Sequence, residues 1–435
     1  MDLVWNTSAF LLVNLACLLL LAAWRKRTQK TNLPPGPTPL PFIGNLLQLR
    51  ASNITATLKQ MSEKYGPVFT VYFGTDQTIV LYGYDVVKEV LVDHGDEFTF
   101  RGSIPSADKT NKGLGVIMSN GKRWVELRRF SLTTLRNFGM GKKNIEEYIQ
   151  EETEYVMKEL RAQKGQPFSP ALLFSCATGN VISHILLGER FDYQDPKYLQ
   201  ILSYLMDAFR LESSISGQEK HNPETEFTRD NLMMTGYDLF VAGTETASST
   251  LRYILMILVE HPTVQAKIHE EIDQVIGRER APSMKDRLQM PYTEAVLHEA
   301  QRFMDLVPLG FTRLVKEDIQ LRGFTIPKGA TIHPILSSAL HDPKQFKNPN
   351  QFDPENFLDE NGAFKKNGAD IPFSTGKRIC IGESLARMQL FLYSTTILQS
   401  FCLKRPPGVT KIDLTPEVSG FGNVPRQLPL CFCPR

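Results

Sequence analysis

Cysteine is scarce in this chain: six residues in 435, namely Cys17, Cys176, Cys380, Cys402, Cys431 and Cys433, with no Cys-x-x-Cys pair. Thiols so scattered in so long a chain make no disulfide framework. The one close pair, Cys431 and Cys433, has no neighbouring histidine to complete a zinc site. An excess of one charge is also missing, with 49 Lys and Arg against 47 Asp and Glu and a net charge of +2. A nucleic-acid binder needs basic charge concentrated on one face, so the composition argues against that class and makes any charge effect local. Internal repeats and low-complexity tracts are lacking. So is a dinucleotide or flavin fingerprint, because Gly113-Leu114-Gly115 has no third glycine to complete one.

What is present is globular: 42% apolar and 22% charged residues, in a length that buries a sizeable core. A single long apolar run opens the chain, from Ala9 to Trp24, broken only by Asn14 and followed at once by Arg25-Lys26-Arg27. Counted from Leu3, it approaches the roughly 20 residues a bilayer-crossing helix needs. The basic cluster on its carboxyl side predicts an uncleaved single-pass anchor over residues 3–24, with the rest of the chain cytosolic. In a secretory signal, the rival reading, the positive charges would precede the apolar run. Pro34, Pro35, Pro37, Pro39 and Pro41 cannot continue a helix, so residues 25–41 read as a basic, proline-rich linker.

Beyond it, residues 68–73 and 78–81 alternate as a hairpin around Gly74-Thr75-Asp76. Helical periodicity is expected over 85–94, 122–135, 144–164, 171–187, 231–260, 264–276, 290–303 and 383–399. The fold class predicted is mainly α with a small β portion, as one domain over residues 42–435.

The segment Phe373-Ser374-Thr375-Gly376-Lys377-Arg378-Ile379-Cys380-Ile381-Gly382 carries the functional argument. Two glycines let a backbone pass close to a flat cofactor. Cys380 stands just before a helix expected to begin near Gly382, whose dipole favours a thiolate. This segment resembles the haem loop of the cytochrome P-450 family, Phe-x-x-Gly-x-Arg-x-Cys-x-Gly, at all five specified positions. Average residue frequencies would supply such a match about once in ten thousand chains of this length. The resemblance implies haem b as cofactor and Cys380 as its axial iron ligand. It places Phe373 and Gly382 against the cofactor and Arg378 at a propionate. A thiolate ligand pushes electron density onto iron.

Further positions follow in the family's order. Ala242-Gly243-Thr244-Glu245-Thr246 sits inside a long apolar helix, where glycine weakens the helix and threonine bonds back to the preceding turn. By resemblance this is the oxygen-binding helix, with Ala242 beside the cofactor, Thr246 hydrogen-bonding dioxygen and Glu245 relaying protons. Glu299 and Arg302 lie three residues apart on one helical face. They resemble a buried Glu-x-x-Arg pair tied to a downstream segment, here 352–357, in which Asn356 replaces the usual arginine or histidine. Arg101, Trp124, Arg128 and Arg313 align with propionate partners, and several arginine forks suit a buried dianion.

The likeness runs from Pro34 to the carboxyl end and is closest to the animal microsomal family 2. It implies a monooxygenase of the endoplasmic reticulum membrane, facing the cytosol. One oxygen atom of O2 enters a lipophilic substrate (a xenobiotic, fatty acid or steroid) and the other becomes water. Electrons come from NADPH through NADPH–cytochrome P-450 reductase, with cytochrome b5 and membrane lipid as further partners. Lys122, Arg123, Arg129, Lys142, Lys143 and Lys377 offer a basic docking face. One departure is large: the helix near 199–209 runs almost directly into Gln218-Glu219-Lys220. Substrate-channel roof helices, on the order of fifty residues, are expected to be missing near 213–218. The alternative readings are a shortened, catalytically impaired haem-binding isoform and a reductase-independent haem-thiolate isomerase.

Overall fold

The computed structural model describes residues 32–49, 54–102, 111–137, 143–212 and 228–435. The expected anchor, the basic part of the linker, Lys142 and the 213–218 junction therefore lie outside the described residues. Among those described, no helix is long and apolar enough to cross a membrane.

The chain opens with α1 (Ile54–Tyr65), the hairpin β1 (Val68–Phe73) and β2 (Asp76–Leu81), and α2 (Tyr84–Lys88), which runs into a π-turn at Glu89–Asp93. Next come β3 (Phe100–Arg101), α3 (Gly121–Asn137), α4 (Lys143–Ala162), α5 (Ala171–Leu187), α6 (Pro196–Glu212), α7 (Arg229–Glu260), α8 (Pro262–Val275) and α9 (Pro291–Met304). Short strands β4 (Arg313–Leu314), β5 (Ile319–Leu321), β6 (Phe324–Ile326) and β7 (Thr331–Pro334) precede α10 (Leu336–Leu340) and α11 (Glu383–Ser400). The chain closes with β8 (Phe401–Lys404), β9 (Val418–Ser419), β10 (Asn423–Val424) and β11 (Cys431–Pro434). The protein is mainly helical with a small sheet portion, as its periodicity predicts.

The largest sheet is ordered β1-β2-β7-β4-β3, with only β2 and β7 parallel. Its β3–β4 register sets Arg101 directly opposite Arg313. The proline segment lies against β1: Thr70 N donates to Pro35 O at 2.8 Å, and a Cβ on Gly36 would fall 1.9 Å from Thr70 O.

Two helices run through the core. Helix α7 begins at Thr228, whose hydroxyl accepts the Asn231 amide, and is buried without a break from Ala247 to Val259. A helix apolar all round must sit inside the molecule. Its 32 residues span about 48 Å. Helix α11 is buried likewise through Leu390, Phe391, Leu392 and Tyr393. Helix α5 crosses α7 closely, because Gly243 of α7 stands at the contact. A Cβ on Gly243 would approach Ile182 Cδ1 to 2.5 Å, and Thr178 Oγ1 donates to Thr244 O at 2.9 Å. The glycine that weakens α7 locally thus lets a neighbouring helix pack onto it.

Candidate functional site

The Cys380 loop is braced by its own backbone. Cys380 N donates to Phe373 O at 3.0 Å, and Ile379 N donates to Gly376 O at 3.1 Å. Gly376 has φ +73°, and a Cβ there would lie 1.8 Å from Leu91 O, so this glycine is demanded by the π-turn packed beneath it. Gly382 has φ −89° and caps α11, and its Cβ would meet only Cys380 Sγ, at 3.9 Å. The close approach that requires glycine is therefore to protein backbone at Gly376, and Gly382 carries no such demand from the protein.

Cys380 is solvent-accessible, yet loss of hydration is the leading influence on its thiol. A thiol that is accessible yet ringed by protein faces a hollow inside the molecule. Burial pushes the thiol up. The Gly382 amide, Arg128 and the Glu383 amide oppose this, the Glu383 carboxylate adds to it, and the net shift is upward. The Gly382 and Glu383 amides favour the thiolate, but burial outweighs them in the protein alone. Coordination to a metal removes a thiol's proton outright.

Around this hollow stand the arginines. Arg378 donates from Nε to Thr99 O (2.8 Å) and from Nη2 to Ser119 O (2.7 Å), with its guanidinium 3.9 Å from the centre of the Trp124 ring. Arg128 donates from Nη2 to Ile379 O at 2.7 Å, the residue before the cysteine. Arg101 and Arg313 are buried, and Arg101 Nη1 has no hydrogen-bond partner. Among the described residues, none of the four pairs with a carboxylate. Burial pushes Arg313 down to about 10; burial, then Arg313 and Arg128, push Arg378 down to about 8. A guanidinium does not give up its proton in a protein, and like charges opposed across a sheet repel. The cluster therefore calls for an anion. These residues fit haem b: the arginines would hold its two propionates and the Cys380 sulfur would hold its iron.

The other expected positions fall on two further sites. Ala242 and Thr246 share one face of α7, where Thr246 Oγ1 donates to Ala242 O. Glu245 is buried on another face, accepting from Ser175 Oγ and Ser249 Oγ at 3.1 Å each, with Arg252 Nη1 at 3.8 Å. Glu245 and Thr246 are thus not brought together. Glu299 and Arg302 are fully buried and joined by two 2.7 Å hydrogen bonds. Asn356 Nδ2 reaches both Glu299 oxygens at 3.4 Å, so the substituted position still completes the network. In the basic face, Lys122 pairs with Glu126 (3.7 Å) and Lys377 with Asp96.

Two residues escaped sequence reasoning. Asn120 Oδ1 accepts both Arg101 N (2.7 Å) and Arg378 Nη2 (3.1 Å), locking two cradle arginines together. Asp238 Oδ2 accepts the Val116 and Ile117 amides at 2.7 and 2.9 Å, pinning their loop to α7. Asp238 left one trace, a lone carboxylate in the apolar stretch Tyr237-Asp238-Leu239-Phe240; Asn120 left none.

A mostly helical domain with a cysteine just before a helix, beside arginines that pair with no carboxylate among the described residues, is what a haem-thiolate protein requires. The family model for cytochrome P450 matches residues 34–218 and 203–432, and the chain belongs to that family. It is similar to cytochrome P450 2C11 of Rattus norvegicus, 48% identical over 483 residues that cover 98% of this chain and 97% of the relative. It is 47% identical to cytochrome P450 2C25 of Mesocricetus auratus over 479 residues (97% and 98%). It is 45% identical to cytochrome P450 2C23 of Rattus norvegicus over 494 residues, covering all of both. The chain is by family a haem-thiolate monooxygenase with haem b as cofactor.

Proposed function

We propose that this chain inserts one atom of O2 into lipophilic substrates at the endoplasmic reticulum membrane, on electrons drawn from NADPH through cytochrome P-450 reductase. The observation that carries this reading is the convergence of Arg101, Arg128, Arg313 and Arg378 on the hollow that Cys380 faces. Haem b, bound by these residues, supplies the activation of dioxygen. The protein's part is to hold that group through one sulfur and four guanidiniums and to present Ala242 and Thr246 beside the reacting centre. Glu245 Oε2 accepts from Ser175 Oγ, which lies 3.0 Å from Ser248 Oγ. These three side chains form a buried hydrogen-bonded cluster between α5 and α7. The run over residues 3–24 anchors the domain, and cytochrome b5 is a further electron partner.

A second reading has its own support: a shortened, catalytically impaired form. The 494 residues aligned with cytochrome P450 2C23 exceed this chain's 435 by 59, which agrees with a gap. The two family matches meet at 203–218, where that gap is expected. Large apolar side chains on the neighbouring helices, Ile201, Tyr204, Leu232 and Met233, are exposed. The reduced protein's carbon monoxide difference spectrum, taken after expression with haem supplied, tests the site. A Soret band at the thiolate position is expected; a band typical of a neutral ligand, or no haem, overturns the proposal. Reductase-dependent oxidation of a lipophilic substrate panel then separates the active enzyme from the impaired form, and turnover without reductase indicates an isomerase.

A further inference from the structure

Arg387, in the first turns of α11, touches both flanks of the Cys380 loop. Its Nε donates to Glu383 Oε1 at 3.0 Å, and its guanidinium lies 5.0 Å from the centre of the Phe373 ring. One of these residues holds the cysteine and the other opens the helix after it. Phe373 O accepts the Cys380 amide at 3.0 Å, and Glu383 is the first residue of α11, three positions beyond Cys380.

On its other side Arg387 is held by α9 and by the approach to the loop. Nη1 donates to Gln301 Oε1 at 3.2 Å and lies 2.9 Å from His298 Nε2; Nη2 lies 3.8 Å from Asp370 Oδ2. His298 Nδ1 meets the same Asp370 oxygen at 2.6 Å, and its Nε2 is 3.1 Å from Glu294 Oε1. The Arg387 side chain is only 12% exposed. A surface ion pair contributes little, whereas a mostly buried fork shared among several acceptors fixes geometry.

We propose that Arg387 is a positioning residue for the axial thiolate, tying the loop between Phe373 and Glu383 to His298 and Gln301 of α9. It does so by holding the Phe373 carbonyl, which accepts the Cys380 amide, and the first turn of α11 in fixed positions on either side of the cysteine. Partners of a metal ligand that set its orientation commonly matter nearly as much as the ligand. The inference rests on the haem-thiolate reading above.

The test compares the haem-loaded parent with Arg387→Met, which keeps the length of the side chain, and Glu383→Gln, which removes only the ion pair. Arg280→Met, which breaks the half-exposed Arg280–Asp286 pair (2.7 Å) without touching the loop, serves as control. Carbon monoxide difference spectra are followed at one mildly elevated temperature, and reduction midpoints are measured. Conversion from the thiolate band to the neutral-ligand band is expected about tenfold faster in Arg387→Met. Glu383→Gln is expected to fall between that variant and the parent, and Arg280→Met within twofold of the parent. The Arg387→Met midpoint is expected to move negative, because removing a cation beside the thiolate loop favours the more positively charged ferric state. If both loop variants convert within twofold of the parent at an unchanged midpoint, the inference is overturned. Should Arg387→Met not retain haem, Glu383→Gln decides by the same comparison. A parent without the thiolate band fails the haem-thiolate reading itself, and the inference with it.

Discussion

Asp305 shows what one buried carboxyl group does to this protein. It ends α9 in the left-handed region at φ +47°, with Oδ1 unpartnered and His341 Nδ1 3.8 Å from Oδ2. Burial pushes it up to about 7, against the weaker pull of Ser337 and Arg302. A folded-state value above the unfolded one means stability that is complete at pH 4 and below and is lost as pH rises toward 7. Asp305→Asn should therefore flatten the pH dependence of chemical denaturation between 4 and 7. It should also stabilise the protein at pH 7.5 by about 2–4 kcal/mol. The two loop glycines give an opposite pair of outcomes. Gly376→Ala meets both a positive φ and the Leu91 carbonyl, and should cost about 3 kcal/mol in thermal unfolding and impair haem retention. Gly382→Ala should leave stability within about 0.5 kcal/mol.

Between elements, the α5–α7 crossing and the α9 network set the frame. Gly243→Ala should cost about 1–2 kcal/mol through overpacking on Ile182, and Ile182→Val should recover part of it. A double-mutant cycle by denaturant unfolding would read their coupling, and strictly additive losses would contradict the packing account. In the α9 network, Glu299→Gln leaves Arg302 buried beside a neutral partner and should cost about 3–5 kcal/mol. Asn356→Ala removes two 3.4 Å contacts to Glu299 and the 3.2 Å bond from the Lys347 amide, and should cost about 1 kcal/mol, since the Asp353 amide still donates to Glu299 at 2.8 Å. Denaturation midpoints of the two variants would separate these outcomes.

For the whole molecule, the arginine cradle makes stability conditional on its ligand. Repulsion among Arg101, Arg313 and Arg378 opposes folding until an anion arrives, and a group bound only by the folded state then adds stability by mass action. Haem loading should raise the melting temperature. Arg101→Met should raise that of the haem-free protein, by about 2 kcal/mol in unfolding free energy, while shortening haem retention. Calorimetry with and without haem checks both signs.

The sequence by itself determined most of the long helices and the family. Apolar periodicity carried the helices from 122 onward, because a 3.6-residue stripe is a local property of the chain. The spacing of Phe373, Gly376, Arg378, Cys380 and Gly382 carried the thiolate loop, because those residues lie within ten positions of one another. Glu299 and Arg302 were legible as a pair for the same reason, but their burial with Asn356 was not. What only the tertiary structure decided depends on residues far apart in the chain. Arg101 faces Arg313 through a strand register that no local pattern encodes. Gly376 answers to Leu91 and Gly243 to Ile182, and Arg387 holds both ends of the loop from within α11. Glu245 turns to Ser175 on α5, away from Thr246, although the two are adjacent in sequence. Local pattern is fixed by neighbours along the chain; burial, opposed charges and shared donors are fixed by which segments fold together.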